Sequence, residues 1–173
     1  SYIAGAQLPC LIVNVVRGGP GLGTIQPAQS DYFQAVKGGG HGDYKMIVLA
    51  PASVQEMADF VDLGFELAFK YRTPVMMLSD GAIGQMMEKV YLSPQKERMK
   101  TFPEWATTGK SASRPRNIIT SLDLEPHGQE IFIQKLQEKY NEIKDKEVRY
   151  EEFRVEDAEY LLVAYGTSAR VCQ

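Results

Sequence analysis

Arg17 is the side chain whose type and setting best suit the capture of a small anion. It closes the apolar run Cys10-Leu11-Ile12-Val13-Asn14-Val15-Val16 and opens the stretch Gly18-Gly19-Pro20-Gly21-Leu22-Gly23. A guanidinium presents a planar fork of N–H donors that matches a carboxylate. Glycines beside it let a ligand approach the main chain closely. Two readings stand on these residues alone. Arg17 is a carboxylate fork beside the bare backbone of Gly18, Gly19 and Gly21, or it pairs with a nearby acid such as Asp31 while the glycines only turn the chain. Nucleotide loops fail on residues. The phosphate loop GxxxxGK[ST] needs a lysine where Thr24-Ile25 follow Gly19. The dinucleotide fingerprint GxGxxG must run straight into a helix, whereas residues 24–29, with Pro27, intervene here.

A second glycine-rich stretch is Gly38-Gly39-Gly40-His41-Gly42-Asp43. An imidazole titrates near neutral pH and is suited to moving protons. With no partner visible beside it, the residues favour His41 and Asp43 as loop-fixing groups. His127, after Pro126 at a helix start, reads as structural. No His, Cys and carboxylate cluster has metal-ligand spacing, so no metal is expected on this chain. No GxSxG nucleophile elbow is present either.

The elements that must position these residues follow from periodicity. Residues 10–16, 45–50 and 75–78 are short apolar runs, read as parallel strands buried on both faces. A short helix is expected over residues 30–37. A long one is expected over 53–71, opened by a Ser53/Glu56 capping box and packed through Met57, Phe60, Val61, Gly64, Phe65 and Ala68. Strands alternating with helices predict an α/β fold, a parallel sheet flanked by helices. Right-handed crossovers then bring Arg17, the loop after Ala50 and Ser79-Asp80 to one edge, where such sheets bind ligands. Residues 92–120 lose periodicity and read as a surface excursion that Trp105 packs down, or packs against a neighbouring chain. An amphipathic helix follows over 129–143, with Phe132, Leu136, Tyr140 and Ile143 on one side, and residues 144–152 read as a solvated charged face. Tyr160-Leu161-Leu162-Val163-Ala164 reads as a new buried strand. The expected division is 1–91, an α/β domain; 92–156, a linking excursion and helix; and 157–173, the start of a second α/β domain.

The 173 residues are 44% hydrophobic and 24% charged with net charge −3, which excludes disorder and gives no basic excess for nucleic acid. No apolar run reaches the roughly 18–20 residues that span a bilayer, so no membrane partner is expected. Ser1-Tyr2-Ile3-Ala4-Gly5-Ala6 lacks the charged and apolar regions of a signal peptide, and both ends read as cut from a longer chain. Cys10 and Cys172 form no disulfide framework or CxxC site. They read as buried, reduced thiols of a cytoplasmic protein, with any iron–sulfur cluster on another chain.

Taken together, several segments resemble one family. Leu8-Pro9-Cys10, Arg17-Gly18-Gly19-Pro20-Gly21-Leu22-Gly23, Gln29-Ser30-Asp31, Gly40-His41-Gly42-Asp43, Tyr71-Arg72-Thr73-Pro74-Val75, Asn117-Ile118-Ile119-Thr120 and Tyr165-Gly166-Thr167-Ser168-Ala169-Arg170 look like the alpha subunit of 2-oxoacid:ferredoxin oxidoreductases. Gly21-Leu22-Gly23 with Arg149-Tyr150-Glu151-Glu152 is most similar to the 2-oxoisovalerate, branched-chain type, with the 2-oxoglutarate type as the near alternative. A non-catalytic α/β interaction module is the competing class. The resemblance implies a partial transketolase-like pyrimidine-binding domain, followed by the start of a transketolase C-terminal-like domain. It implies oxidative decarboxylation of a 2-oxoacid to acyl-CoA, with electrons passed to ferredoxin. Thiamine diphosphate and Mg²⁺ would sit at the interface with a beta subunit. Iron–sulfur clusters and coenzyme A would belong to the complex, with gamma- and delta-type partners and an alpha–alpha dimer. Arg17 matches the family arginine that faces the substrate carboxylate. The family's Tyr-Pro-Ile-Thr-Pro segment and its pyrimidine-activating glutamate are not in this sequence, so this chain alone is expected to be inactive. Asp80-Gly81 shares two letters with the metal-holding GDG motif of thiamine enzymes. Position 79 is Ser and no Asn stands at the matching distance, so that likeness is accidental.

Overall fold

The computed structural model describes residues 1–97 and 100–173. Three strands, β1 (Cys10–Val16), β2 (Ile47–Leu49) and β3 (Pro74–Asp80), form one parallel sheet in the order β1-β3-β2. The register runs from Cys10↔Pro74 to Val16↔Asp80 on one side of β3 and from Ile47↔Val75 to Leu49↔Met77 on the other. Every residue of β3 is buried, as a central strand covered on both faces must be. A short helix, α1 (Tyr2–Gly5), precedes β1; the chain then leaves β1 through α2 (Tyr32–Val36), leaves β2 through α3 (Val54–Tyr71), and turns from β3 into α4 (Gly81–Gln85). The expected parallel sheet flanked by helices is therefore the architecture found. Among the described residues no helix is long and apolar enough to cross a membrane.

Two apolar layers hold the sheet. On one face Ile47, Leu49 and Val75 pack with Leu67, Ala68 and Tyr71 of α3 and with Ile143 of α5 (Pro126–Lys146). On the other, Val16, Met76 and Leu78 pack with Ala35 of α2 and with Tyr165. Helix α3 begins at Ser53, whose hydroxyl accepts from Glu56 N–H at 3.1 Å. The return bond of the capping box reaches one residue further back, with Ala52 N–H donating to Glu56 Oε2 at 2.6 Å. The helix stops where Arg72 adopts left-handed backbone, φ +47°.

The buried stripe of α3 is rotated from the one expected. Gly64, Leu67, Ala68 and Tyr71 face inward, whereas Val61 and Phe65 are 41% and 48% exposed. Gly64 lies so close to β1 that a Cβ there would come within 2.7 Å of Leu11 Cδ1. This close seating presses the Gly64 side of the helix onto β1. Val61 and Phe65 are left exposed.

Other expectations are corrected too. Residues 160–164 form no strand, and Tyr160 to Val163 are exposed, because the segment pairs with no strand of the sheet and so gains no ladder hydrogen bonds. Cys172 is exposed and Cys10 half-buried rather than both being buried. The charged run after α5 is not wholly solvated. The Glu147 side chain is buried, accepting from Lys70 Nζ at 2.6 Å and Tyr71 Oη at 2.7 Å, and it pins the end of α5 to α3. Trp105 does hold the excursion down, its ring tilted against Phe69 and under the Arg72 guanidinium at 4.8 Å.

The Lys70 and Tyr71 hydrogen bonds hold the Glu147 carboxyl down at about 2, from an ordinary value of 4.5. Between those values the unfolded chain binds the extra proton, so this contribution is complete above pH 4.5 and fades as pH falls toward 2. Urea midpoints measured across that window should fall with acidification. Glu147→Gln should flatten the fall, and an unchanged slope in that variant would remove Glu147 as its source.

Candidate functional site

Parallel strands end together. The sheet therefore delivers Arg17, the Ala50-Pro51 turn and Asp80 to one edge, with Val16 directly opposite Asp80. The loop from Arg17 to Pro27 closes on itself. Gly18 N–H donates to Gln26 O at 2.9 Å, Thr24 N–H donates to Gly18 O at 2.8 Å, and Arg17 bridges Pro27. Arg17 spans this loop, its Nη1 donating to the carbonyls of Leu22 and Thr24, the latter at 3.0 Å. Both bonds use the same nitrogen. Nε–H and Nη2–H, the side of the fork that meets a carboxylate with two parallel bonds, have no partner among the described residues. Asp31 is engaged elsewhere, accepting from Asn14 Nδ2 at 3.0 Å. Of the two readings of Arg17, the pairing with Asp31 is therefore not the arrangement found.

The glycines divide by role. Gly21 has φ +63° and open space where a Cβ would sit, and Gly19 is nearly as open. Gly23 has φ +51°, and a Cβ there would fall 1.8 Å from Gly18 O. A side chain at Gly23 cannot coexist with the closed loop. Gly21→Ala should cost about 1 kcal/mol, the usual strain of left-handed backbone. Gly23→Ala should open the loop, read as rapid proteolysis or amide exchange between residues 18 and 26. Equal protection in both variants would contradict the closed loop.

Asp80 is the hub of this edge. Its Oδ1 caps α4 by accepting from Ala82 and Ile83 N–H at 3.0 and 3.1 Å, and it also accepts from Thr167 Oγ1 at 2.6 Å. Its Oδ2 accepts from Thr167 N–H at 2.9 Å and Gln29 Nε2 at 3.3 Å. Burial pushes the carboxyl up, but the Thr167 hydroxyl and N–H, the Ile83 N–H and the Gln29 amide pull it further down, and it ends below its ordinary value. Gln29 also donates to Tyr165 O at 2.9 Å and accepts from Ser168 Oγ at 2.9 Å. Tyr165 stacks on Tyr32 with ring centroids 5.8 Å apart. These contacts seat α6 (Gly166–Cys172) over the carboxyl edge, close to the Arg17 loop.

His41 and Asp43 are not part of this group. Their loop enters the amino end of β2, at the opposite edge of the sheet, where His41 Nδ1 lies 3.1 Å from Gly42 O and Asp43 takes φ +65°. The sequence places Asp80 at this edge but gives it no role once the metal motif has failed. An acid closing a strand just before Gly-Ala-Ile is nevertheless a helix N-cap signal. Nothing local could have announced Thr167, 87 positions later.

The edge suits one part of thiamine diphosphate and not the other. Among the described residues no three His, Cys, Asp or Glu groups gather to hold a metal ion. The Asp80 oxygens are already taken by five donors. The metal–diphosphate end therefore does not fit this chain. The open main-chain face at Gly19 and Gly21 does fit a flat heterocycle, which close-approaching backbone can read.

The chain is similar to known proteins along its length. Residues 1–159 match a family described as the thiamine diphosphate-binding domain of pyruvate flavodoxin/ferredoxin oxidoreductases. The whole chain is 51% identical to 49% of the ketoisovalerate oxidoreductase subunit VorB of Methanothermobacter marburgensis. It is 32% identical to the 2-oxoglutarate synthase subunit KorA of Methanocaldococcus jannaschii, over 95% of this chain and 50% of that one. The chain thus spans about half the length of the curated relatives it matches. A solved 2-oxoglutarate:ferredoxin oxidoreductase from Magnetococcus marinus, with 2-oxoglutarate, coenzyme A and succinyl-CoA bound, superposes with a TM-score of 0.62. That match has 28% identity and covers 85% of this chain and 30% of the other.

Proposed function

Since this chain belongs to the pyruvate flavodoxin/ferredoxin oxidoreductase family, matching its thiamine diphosphate-binding domain, we propose that it forms part of the alpha-type subunit of a 2-oxoacid:ferredoxin oxidoreductase acting on 2-oxoisovalerate. The observation that carries this reading is the 51% identity to a ketoisovalerate oxidoreductase subunit along the entire chain. The reaction converts the 2-oxoacid and coenzyme A to acyl-CoA and carbon dioxide, and two electrons pass to ferredoxin. Thiamine diphosphate, when bound, supplies the nucleophilic carbon and the electron sink for decarboxylation. Residues 1–91 would form the domain facing its pyrimidine and 92–156 a linking segment. Residues 157–173 would start the next domain. Mg²⁺, the diphosphate contacts and the iron–sulfur clusters would lie on beta-, gamma- or delta-type partners. The two free thiols, Cys10 and Cys172, suit a reducing cytoplasm.

In this reading the residues of the chain bind and orient. Arg17 receives the substrate carboxylate on Nε–H and Nη2–H, while its Nη1 bonds to the Leu22 and Thr24 carbonyls fix the direction of the fork. Gly18, Gly19 and Gly21 keep side chains away, so the flat ring and the substrate can lie on the main chain. A monocarboxylate suits the edge better than a dicarboxylate. Arg170, the other guanidinium that α6 brings here, is tied to Glu88 and to Ala52 O. The test is ferredoxin or dye reduction by the full subunit assembled with its partners. 2-Oxoisovalerate should give the higher kcat/KM, and a preference for 2-oxoglutarate would overturn the assignment.

A further inference from the structure

At the amino edge of the sheet, opposite Arg17, a cavity of about 370 Å³ opens between the end of α3, the turn before β1 and the middle of α5. Gln7, Arg72 and Lys139 line it. Lys139 projects from the face of α5 that also buries Leu136 and Tyr140. Its amine is held by two uncharged acceptors, Gln7 Oε1 at 3.1 Å and Arg72 O at 3.5 Å. Cations flank it, with the Arg72 guanidinium in the same cavity and Lys135 one helical turn earlier. The neighbouring acids are differently placed. Glu142 pairs with Lys146 at 2.8 Å, and Glu138 lines the cavity without an ion pair to Lys139 among the described residues. Lys70, at the rim, is taken by Glu147.

We propose that Lys139 is an acylation site, its amine taking the acyl group of a coenzyme A-type thioester. The ammonium first gives a proton to solvent. Its nitrogen lone pair then attacks the thioester carbonyl, a C–N bond forms, the C–S bond breaks, and the leaving thiolate takes up a proton. The product is an amide and free thiol. The cavity supports each requirement. Desolvation and an adjacent cation are the two conditions that activate a lysine nucleophile. Burial, followed by the Arg72 charge, brings the Lys139 amine down to about 8. At pH 8 about half of it is then uncharged, against under about 1% of an ordinary lysine. After acylation the amide N–H can still donate to Gln7 Oε1, and the repulsion with Arg72 is gone. The cationic lining also suits a donor that carries phosphates.

The donor class rests on the acyl-CoA product proposed above, but the test does not need that activity. The full chain would be incubated with isobutyryl-CoA between pH 6.5 and 9, and acylation mapped by peptide mass spectrometry. At pH 8, Lys139 should be acylated at least about tenfold faster than the exposed Lys110, with a rate curve that bends near pH 8. In 8 M urea, roughly the upper range used to unfold domains, the preference should vanish. A Lys139 rate no greater than that of Lys110, or a preference that survives unfolding, would overturn the proposal. Lys139→Arg should abolish the labelled peptide while leaving the carboxyl edge unchanged. Failure of 2-oxoisovalerate turnover would show only in the reduction assay, so the two readings fail separately.

Discussion

In the assembled enzyme, Arg17→Met raises KM for the 2-oxoacid about 10- to 150-fold, because a lost charged hydrogen-bond pair is worth about 1.5–3 kcal/mol. Most of the change falls on KM, since a carboxylate held equally in the ground and transition states contributes uniform binding. Arg17→Lys restores only part, because an ammonium cannot present two parallel N–H groups. Thermal stability changes little, since the side chain is exposed and its bonds lie within one surface loop. That combination separates binding from folding. Unaltered KM in Arg17→Met, with the loop still closed, removes the carboxylate role.

Asp80→Ala has the largest expected effect on stability. The substitution deletes the cap of α4 and strands four buried or half-buried N–H and O–H donors from Ala82, Ile83 and Thr167. A lost N-cap costs about 1 kcal/mol and an unsatisfied buried donor about 1–3 kcal/mol, so a loss of about 3–5 kcal/mol is expected. That is a large share of the roughly 5–15 kcal/mol that holds an ordinary domain together. The loss also falls on function, since Gln29 and Thr167 lose the group that draws α6 toward the Arg17 loop. Asp80→Asn keeps one acceptor but turns an amide toward donors, and should be intermediate. Urea unfolding of the three proteins checks the order. A midpoint for Asp80→Ala within error of the parent would show that the hub holds nothing.

The sheet and its carboxyl edge were legible because strands buried on both faces print as continuous apolar runs. Val48-Leu49 and Val75-Met76-Met77-Leu78 have no other good reading. Arg17 was legible for the same reason, as a charged residue at the end of such a run. The rotation of α3 was not. Val61 and Phe65 satisfy the helical period as well as Leu67 and Tyr71 do, and the choice between them was made by Leu11 closing on Gly64. The strand expected at 160–164 failed for a related reason. Apolar composition gives a segment the propensity to be a strand, but hydrogen bonds from a neighbour make it one. Glu147 was hidden in a run of charges and Lys139 in an amphipathic helix, because their partners, Lys70, Tyr71, Gln7 and Arg72, lie at least 67 positions away.

The strand order has a consequence for how the chain is made. β1 and β2 touch only β3, and β3 is the last of the three in sequence. During synthesis β1 is complete at Val16, yet its partner ends at Asp80. At about 5–20 residues per second, β1 waits about 3–13 s before its pairing with β3 can form. Through that interval Cys10 to Val16 is without the β3 partner that it has in the folded sheet.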